Sequence, residues 1–457
     1  MTRGFTKTRN LIGGLDFMVY SICNMKNQLF SWMIGLLPLA LPLYVVRFDI
    51  GLLPTTALEI FILLLIAVWL MQVKFTGLKN AWTTLGVWRY PLTAWLAATL
   101  LSVLIAPDSW SALGHWRAFM LEPALIFALL LERYNNSEHL KATLTKNLLS
   151  GLTAVTILMG AYAIYQFFTG FGIPSPWDVS PGRRATGVFG FPNGLSLFMA
   201  PFGVTCFIFW LKKVFDGEGG RLRLALPIAW ALAGAAEILA KSMGGLLAFG
   251  IGTVLVLLAY KKTRLIGLGL SLIGLIGAGL IAFNIYQTEL HPQTLEHTVA
   301  STKKWSSMVR TIIWKESLDL ALSNPILGSG LRSYKTAVVP YHTATWMEVY
   351  PHPHNIFLML WIETGLAGLL AFIWIIITWT TIVTRGVVTR TTTPRRTSQS
   401  SYVNQSDAGR ATRDVRRLVW LIPLIVILVH GMVDMPYFKN DLAMQFWILA
   451  ALAAITD

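Results

Sequence analysis

The chain has 457 residues, of which 55% are hydrophobic and only 13% charged, and its formal net charge is +15. A soluble protein of this size has about a quarter of its residues charged, so the composition excludes a soluble domain and predicts a protein solvated mainly by lipid. Cys23 and Cys206 lie far apart, and Cys206 falls in an apolar run. We therefore expect neither a structural disulfide nor a cysteine metal site.

Apolar runs long enough to cross a bilayer recur along the whole chain. They predict an all-α integral membrane protein with twelve transmembrane helices. The predicted spans are residues 29–46, 55–73, 90–106, 113–131, 147–170, 190–211, 224–240, 242–260, 265–286, 355–383, 418–433 and 441–456. The predicted domain organisation is a membrane domain of nine spans over 1–286, a large outside loop over 287–354, a tenth span over 355–383, a cytoplasmic loop over 384–417 and two last spans over 418–457.

The distribution of basic residues predicts the orientation. Most of the 37 Lys and Arg residues fall in alternate connections, and the positive-inside rule places these connections and both termini in the cytoplasm of a cytoplasmic (inner) membrane protein. Segment 384–417 is rich in Ser, Thr and Arg and lacks apolar periodicity, so it is predicted to be disordered. Its charges are expected to contact anionic membrane lipids. The high net charge therefore does not indicate a nucleic-acid partner.

The outside loop 287–354 is long and polar, in contrast to its short neighbours. Its stretch SSMVRTIIWKESLDLALSNPILGSGL predicts an amphipathic helix that ends at Asn324-Pro325. A turn bracketed by Gly328 and Gly330 follows. A second outside loop, 171–189, precedes the sixth span. Because loops on a rigid scaffold carry function, the chemistry is expected on this outer face.

Three groups of residues in the outer loops are candidates for chemistry: Arg183 with Arg184 before the sixth span, Arg310 on the amphipathic helix, and His352 with His354 at the start of the tenth span. A guanidinium binds phosphate oxygens in pairs and stays charged in a poorly hydrated site. An imidazole can take a proton from an attacking hydroxyl. The alternatives are arginines that reach lipid headgroups and histidines that are hydrogen-bonded structurally. No metal-ligand spacing accompanies them, so neither a metal nor a cofactor is expected.

Four further ionisable residues lie at or inside the spans. Arg117 and Glu122 in the fourth span are five residues apart, which does not place them on one face of an α-helix, so each is expected to pair with another span. A kink is expected at Pro123, and we favour a structural role for this pair. His430 and Asp434 near the outer end of the eleventh span could line an acceptor site or could pack and cap.

Several motifs together resemble the bacterial O-antigen ligase superfamily, which includes O-antigen polymerases and O-linked oligosaccharyltransferases. His354-Asn355 is followed by nine residues and then Gly365-x-x-Gly368. The stretch RATGVFGFPNGLSLF is similar to the family's arginine-bearing loop with its Phe-x-x-Pro-Asn element. The stretches SMVRTIIWKESLDLALSNPILGSG and HGMVDMPYFKNDLAMQFWILAAL are similar to its second arginine segment and its last two spans.

The resemblance implies a GT-C-like membrane fold and an undecaprenyl-pyrophosphate-linked glycan donor, used without a metal. It implies that Arg184 and Arg310, with Arg183 beside them, hold the pyrophosphate, and that His354 activates the acceptor hydroxyl with inversion at the anomeric carbon. Asn355 would support His354. Where the family often has Ser-Arg-Gly, this chain has Ser242-Met243-Gly244 after Lys241, so Lys241 could supply the charge or reach headgroups.

Two alternatives stay open at this point. Leu369 follows the Gly-x-x-Gly element where ligases often have Gly, Thr or Tyr, which favours an O-antigen or exopolysaccharide polymerase. A multi-span transporter or flippase also fits the span count, although no internal repeat is evident and intramembrane charges are few. The acceptor could be a lipid A core, a glycan repeat, a protein or a wall polymer.

Overall fold

The computed structural model describes residues 28–51, 53–135, 138–180, 182–290, 300–344, 346–385 and 418–455. Almost all of these residues are helical. The sheet found among them is one antiparallel hairpin of β1 (Arg47–Ile50) and β2 (Leu53–Thr56). The predicted disordered loop at 384–417 lies outside the described residues, apart from its first two positions.

Fifteen helices are found in the described ranges, and one lies in each of the twelve segments predicted to span. In chain order they are α1 (Gln28–Val45), α2 (Ala57–Thr84), α3 (Arg89–Leu104), α4 (Ser109–Trp116), α5 (Glu122–Asn135), α6 (Glu138–Thr169), α7 (Pro192–Phe215), α8 (Arg221–Ala240), α9 (Met243–Ala259), α10 (Arg264–Leu290), α11 (Ala300–Ser323), α12 (Tyr334–Ala337), α13 (Ile356–Arg385), α14 (Ile422–Gly431) and α15 (Asn440–Ile455).

Six helical stretches are long and apolar enough to cross a membrane: α1, the continuous α4–α5 segment, α6, α7, α8 and α13. This confirms the prediction of a helical integral membrane protein, because a soluble helix seldom stays apolar over such a length. The other apolar stretches found in the described residues have only 10–17 residues, so the count of twelve spans stays a prediction. Helix α2 continues to Thr84, and the predicted inside loop at 74–89 is therefore largely helical.

Helix α7 lies at the centre of the molecule, and 94% of the residues in its most apolar stretch are buried. Its aromatic residues stack inward: the ring centroids of Phe198 and Phe202 lie 5.1 Å apart, and Phe198 also meets Phe189 from the preceding loop at 5.6 Å. Because α7 begins at Pro192, the residues just before and after its start are fixed against this core.

The segment that contains α11 and α12 packs directly on α13. Helix α11 ends at Ser323, as predicted, and the glycine turn follows with Gly328 and Gly330 in the left-handed region. Helix α13 is broken at Gly365, whose φ is 65° and ψ is −174°. The backbone N–H of Leu366 donates to the carbonyls of Pro325 and Ile326 at 3.0 and 3.1 Å. The broken helix thus completes its hydrogen bonding with the turn after α11.

The junction of α4 and α5 corrects the prediction for Arg117 and Glu122. Arg117–Leu121 form a π-helical turn, in which the N–H of Glu122 donates to the carbonyl of Arg117. The extra residue in this turn brings side chains five apart to one face, and Arg117 Nε lies 3.3 Å from Glu122 Oε1. The expected pairing with another span is confirmed as well, since an Arg117 Nη lies 3.1 Å from Glu59 Oε1 of α2.

Candidate functional site

Arg184 is held between the loop that precedes α7 and the end of α8. Its Nε donates to the carbonyl of Ala240 at 2.8 Å, and one Nη donates to the carbonyl of Lys241 at 3.4 Å and to Asn193 Oδ1 at 3.2 Å. The guanidinium also lies over the Trp177 ring, 4.9 Å from its centroid. All three hydrogen-bond acceptors are neutral, so these contacts orient the guanidinium without cancelling its charge.

Arg310 comes from α11 and lies close to Arg184. Burial lowers the pKa of the Arg184 guanidinium, and the positive charge of Arg310 lowers it further. The charge of Arg310 also acts on His430 of α14. One turn after Arg310, the Trp314 indole N–H donates to the carbonyl of Pro353 at 3.0 Å. The structure therefore brings together the two arginines that the sequence placed 126 positions apart (310 − 184) and ties one of them to the histidine loop.

His354 faces a buried carboxylate. Its backbone is left-handed, with φ at 50°, and its Nδ1 lies 3.5 Å from Asp434 Oδ1, at the outer limit of a hydrogen bond. The side chain of His354 is 17% exposed and that of Asp434 only 3%, so the imidazole bridges the interior and the solvent. Asp434, predicted as a supporting residue, lies in the loop between α14 and α15.

The carboxylate of Asp434 is charged despite its burial. Burial raises its pKa, but the hydrogen bond and charge of His354, together with the nearby His430 and His352, outweigh burial and hold the pKa below its usual range. Its Oδ1 also accepts from the N–H of Met435 at 2.9 Å. The site thus contains a fixed negative charge directly behind His354.

The two neighbours of His354 have different surroundings. The His352 ring meets the His354 ring edge to face, with centroids 4.4 Å apart. Burial lowers the pKa of His352 to about 4, and the charge of His354 acts in the same direction. Asn355 caps α13: its Oδ1 accepts from the N–H groups of Phe357 and Leu358 at 3.0 and 3.1 Å. Its side chain therefore fixes the backbone on which His354 lies.

Asn193 joins the two halves of the site. Its Oδ1 accepts from Arg184, and its Nδ2 donates to Asp434 Oδ2 at 2.6 Å. A continuous chain of contacts therefore runs from Arg184 through Asn193 and Asp434 to His354. No role for Asn193 was predicted from the sequence, although its place in the Phe-x-x-Pro-Asn element at the start of α7 was a signal for one.

Arg183 and Lys241 are placed differently from the other predicted residues. The Arg183 guanidinium donates to the carbonyls of Phe167, Phe168 and Asp178 at 2.9, 3.3 and 3.3 Å, so it closes the end of α6. The Lys241 ammonium lies 5.8 Å from the centroid of the Phe167 ring. The backbone carbonyl of Lys241 accepts a hydrogen bond from Arg184. Lys241 thus contributes its backbone to the grip on Arg184.

Two buried charge groups lie beside this site. In the first group, Arg117 forms ion pairs with Glu122 in the α4–α5 turn and with Glu59 of α2. Lys439, which the sequence analysis missed, has its ammonium 4.5–5.2 Å from the centroids of three aromatic rings and 3.9 Å from Asp441 Oδ1. Burial lowers the pKa of Lys439. In both groups the cation lies beside at least one carboxylate, which is consistent with a structural role.

Comparison with known proteins supports the motif analysis. The sequence profile of the O-antigen ligase family matches residues 228–373, about a third of the chain. A protein of Rickettsia conorii described as a candidate polysaccharide ligase is 30% identical over 141 residues, which cover 30% of this chain and 34% of that protein. Proteins of Rickettsia felis and Rickettsia prowazekii with the same description are 25% and 26% identical over 197 residues, covering 42% of this chain and 47% of each.

The chain spans less than half the length of each of these relatives. The profile match includes Arg310, His354 and the Gly365-x-x-Gly368 element, whereas Arg184 and Asp434 lie on either side of it. The segment of the chain that contains the histidine and the second arginine of the site therefore matches the O-antigen ligase family.

Proposed function

We propose that this protein transfers a glycan from an undecaprenyl-pyrophosphate carrier to an acceptor hydroxyl at the outer face of the cytoplasmic membrane. The observation that carries the proposal is the pair of arginines beside the His354–Asp434 contact. Arg184 binds only neutral oxygens and feels the charge of Arg310. The family match and the descriptions of the relatives support a polysaccharide ligase.

The two arginines suit a doubly charged leaving group. Like charges in a partly buried site repel each other, and this repulsion is relieved when an anion binds between them. A pyrophosphate offers several oxygens to two guanidiniums. As the bond from the anomeric carbon to the phosphate oxygen breaks, negative charge grows on the pyrophosphate. Arg184 and Arg310 would lower the barrier by stabilising that charge in place.

His354 suits the activation of the acceptor. With Nδ1–H directed at Asp434, the lone pair of Nε2 is available to take the proton of an acceptor hydroxyl. The oxygen then forms a bond to the anomeric carbon while the pyrophosphate leaves with the electron pair of the broken bond. Attack opposite the leaving group inverts the anomeric carbon. Asp434 stabilises the imidazolium that forms, and no metal enters the step.

The experiment is a transfer assay with the full-length protein in nanodiscs, an undecaprenyl-pyrophosphate oligosaccharide and a panel of lipid, glycan and protein acceptors. His354→Ala, Arg184→Ala and Arg310→Ala should each lower turnover about 100-fold or more. The matched control is Arg183→Ala, next to Arg184 in the chain but engaged with the end of α6. This variant should keep most of the turnover and lose thermal stability.

Other results would overturn the proposal. Full turnover in both His354→Ala and Arg310→Ala places the chemistry elsewhere, and loss of turnover in EDTA that Mg²⁺ restores contradicts a metal-independent reaction. Ion-coupled uptake into liposomes without any glycosyl transfer would identify a transporter. Extension of the lipid-linked glycan, without transfer to another acceptor, would identify a polymerase.

A further inference from the structure

The side-chain amide of Asn193 can have only one orientation. One end contacts Arg184, which has hydrogen-bond donors only, and the other end contacts the charged carboxylate of Asp434, which has acceptors only. The amide oxygen must therefore face the guanidinium and the amide nitrogen must face the carboxylate. No other neutral side chain of this length offers a donor and an acceptor at fixed spacing on one planar group.

The usual reason for an asparagine at a helix start does not apply here. An asparagine in this position commonly caps its own helix by accepting from a backbone N–H. The cap position of α7 is occupied by Phe191, and no side chain caps this end. Both ends of the Asn193 amide are instead engaged by residues from other parts of the chain, one of them 241 positions away.

The position of the amide has an electrostatic consequence. Arg184 and Asp434 are opposite charges separated by a single side-chain amide, in a partly buried region where a direct ion pair would be strong. Such a pair would cancel the positive charge that faces Arg310. It would also draw the carboxylate away from His354, whose Nδ1 is already 3.5 Å from it.

We propose that Asn193 is a positioning residue. It keeps the carboxylate of Asp434 in contact with His354 and prevents that carboxylate from pairing with Arg184. It holds the anion-binding end and the proton-accepting end of the site in fixed register while preventing them from neutralising each other. This inference rests on the proposed function for what each end does, but the separation of the two charges is a property of the protein alone.

The test uses full-length protein in nanodiscs and four forms: wild type, Asn193→Ala, Asp434→Ala and the double variant. The first measurement is the rate at which phenylglyoxal modifies Arg184, followed by mass spectrometry, which needs no substrate. In Asn193→Ala the freed carboxylate pairs with Arg184, so modification should slow several-fold. In the double variant it should return to at least the wild-type rate. Arg183 in the same samples is the internal control, because its partners are unchanged.

The second measurement is the affinity for undecaprenyl pyrophosphate. Asn193→Ala should weaken binding about tenfold, the effect of one lost charge-assisted contact. Removal of Asp434 in the double variant should restore the affinity, although turnover stays low because His354 has lost its partner. Recovery of binding by removing a second residue is a result that a merely structural asparagine would not give.

The outcomes separate the two levels of inference. If wild-type protein does not bind the lipid pyrophosphate, the proposed function fails, and the labelling rates still decide the role of Asn193. If the wild type binds the lipid pyrophosphate, two results contradict the proposed role of Asn193 in separating the charges. The first is an Asn193→Ala variant with the wild-type labelling rate and affinity. The second is a double variant that recovers neither the labelling rate nor the affinity. Should Asn193→Ala fail to fold, Asn193→Ser gives the same test, since a hydroxyl is too short to bridge both partners.

Discussion

At the scale of single residues, the site works by keeping unlike charges apart as much as by bringing them together. The pKa of Asp434 is held below its usual range although the carboxylate is buried, mainly because of its contact with His354. Arg184 stays free of carboxylates because its partners are backbone oxygens and an amide. His352 lies against His354 but has its pKa lowered to about 4 by burial. His352 is therefore uncharged near neutral pH.

His352 gives a prediction for stability against pH. Its pKa falls from the ordinary 6.5 to about 4 in the folded protein. Between these values the unfolded chain binds more protons, so the free energy of unfolding falls as the pH is lowered from about 6.5 to 4. His352→Gln should flatten this decline. The measurement is the thermal midpoint in detergent at pH 7, 5.5 and 4.5, and equal slopes for variant and wild type would contradict the prediction.

His342 is the control, because its pKa is shifted in the opposite direction. Its Nδ1 lies 3.2 Å from Glu316 Oε2, and this contact raises the pKa of His342. Its stabilising effect is therefore present at acidic pH and is lost as the pH rises through the folded-state pKa. His342→Gln should lower the midpoint more at pH 5.5 than at pH 8.5.

The sequence predicted the charged members of the site but not the residue that connects them. Arg184, Arg310 and His354 were chosen as candidates because each side chain by itself suits a step of the proposed chemistry. Asn193 acts only through two contacts, and one of these joins positions 241 apart in the chain. Such a contact depends on tertiary structure, which no local pattern encodes.

Among the helices and turns, two glycine motifs contact each other directly: the Gly328–Gly330 turn and the Gly365-x-x-Gly368 element. The turn after α11 fits into the break of α13, where Ser329 N–H donates to the carbonyl of Ile362 at 2.7 Å. A Cβ on Gly328 would lie 2.5 Å from that carbonyl oxygen, and a Cβ on Gly365 would overlap the carbonyl of Ile326. The sequence predicted the turn and the motif separately, but their fit depends on backbone approach, which residue type alone does not reveal.

Gly365→Ala is expected to be strongly destabilising. The combination of φ 65° and ψ −174° is one that only glycine adopts readily, and the added methyl group has no room. We expect a loss of at least about 2 kcal/mol, seen as a lower thermal midpoint and reduced yield. The control is Gly269→Ala in α10, where a Cβ meets nothing within 4 Å and helix propensity favours alanine. A neutral Gly365→Ala would contradict this account.

The π-helical turn shows why helix faces cannot always be counted from sequence. Ordinary periodicity separates Arg117 from Glu122, yet one extra residue in the turn brings them to 3.3 Å. Pro123, which has no N–H to donate, lies just after this turn. The sequence indicated a disturbance at Pro123, but whether a helix bends or takes in an extra residue is decided by its neighbours, here Glu59 of α2.

At the scale of the whole molecule, hydropathy predicted a helix in every one of twelve segments, because lipid requires each run of backbone to satisfy its own hydrogen bonds. It did not predict the β1–β2 hairpin: six of its eight residues lie in the connection between the first two predicted spans, and the other two lie at the start of the second span. Short strands at span ends have too few residues to show an alternating pattern.

The predicted orientation can be tested by labelling with a membrane-impermeant maleimide in intact cells. In a Cys23→Ser background, Trp346→Cys near the site should be labelled from outside. Lys261→Cys, between α9 and α10, should be labelled only after the membrane is opened. Both positions are exposed, and the remaining Cys206 is buried, so the background should be low. The reverse pattern would invert the topology and place the site in the cytoplasm.

The fit between the turn after α11 and the break of α13 has a mechanical consequence. Backbone hydrogen bonds join these two helices and Trp314 ties α11 to Pro353, so Arg310 and His354 lie on directly connected parts of the chain. Arg184 is anchored on α7 and α8 and is connected to His354 through Asn193 and Asp434. In the proposed reaction, a bulky glycan that pushed these two parts of the chain apart would separate Arg184 from Arg310 and from His354 at the same time, so product release and loss of reactivity would be the same event.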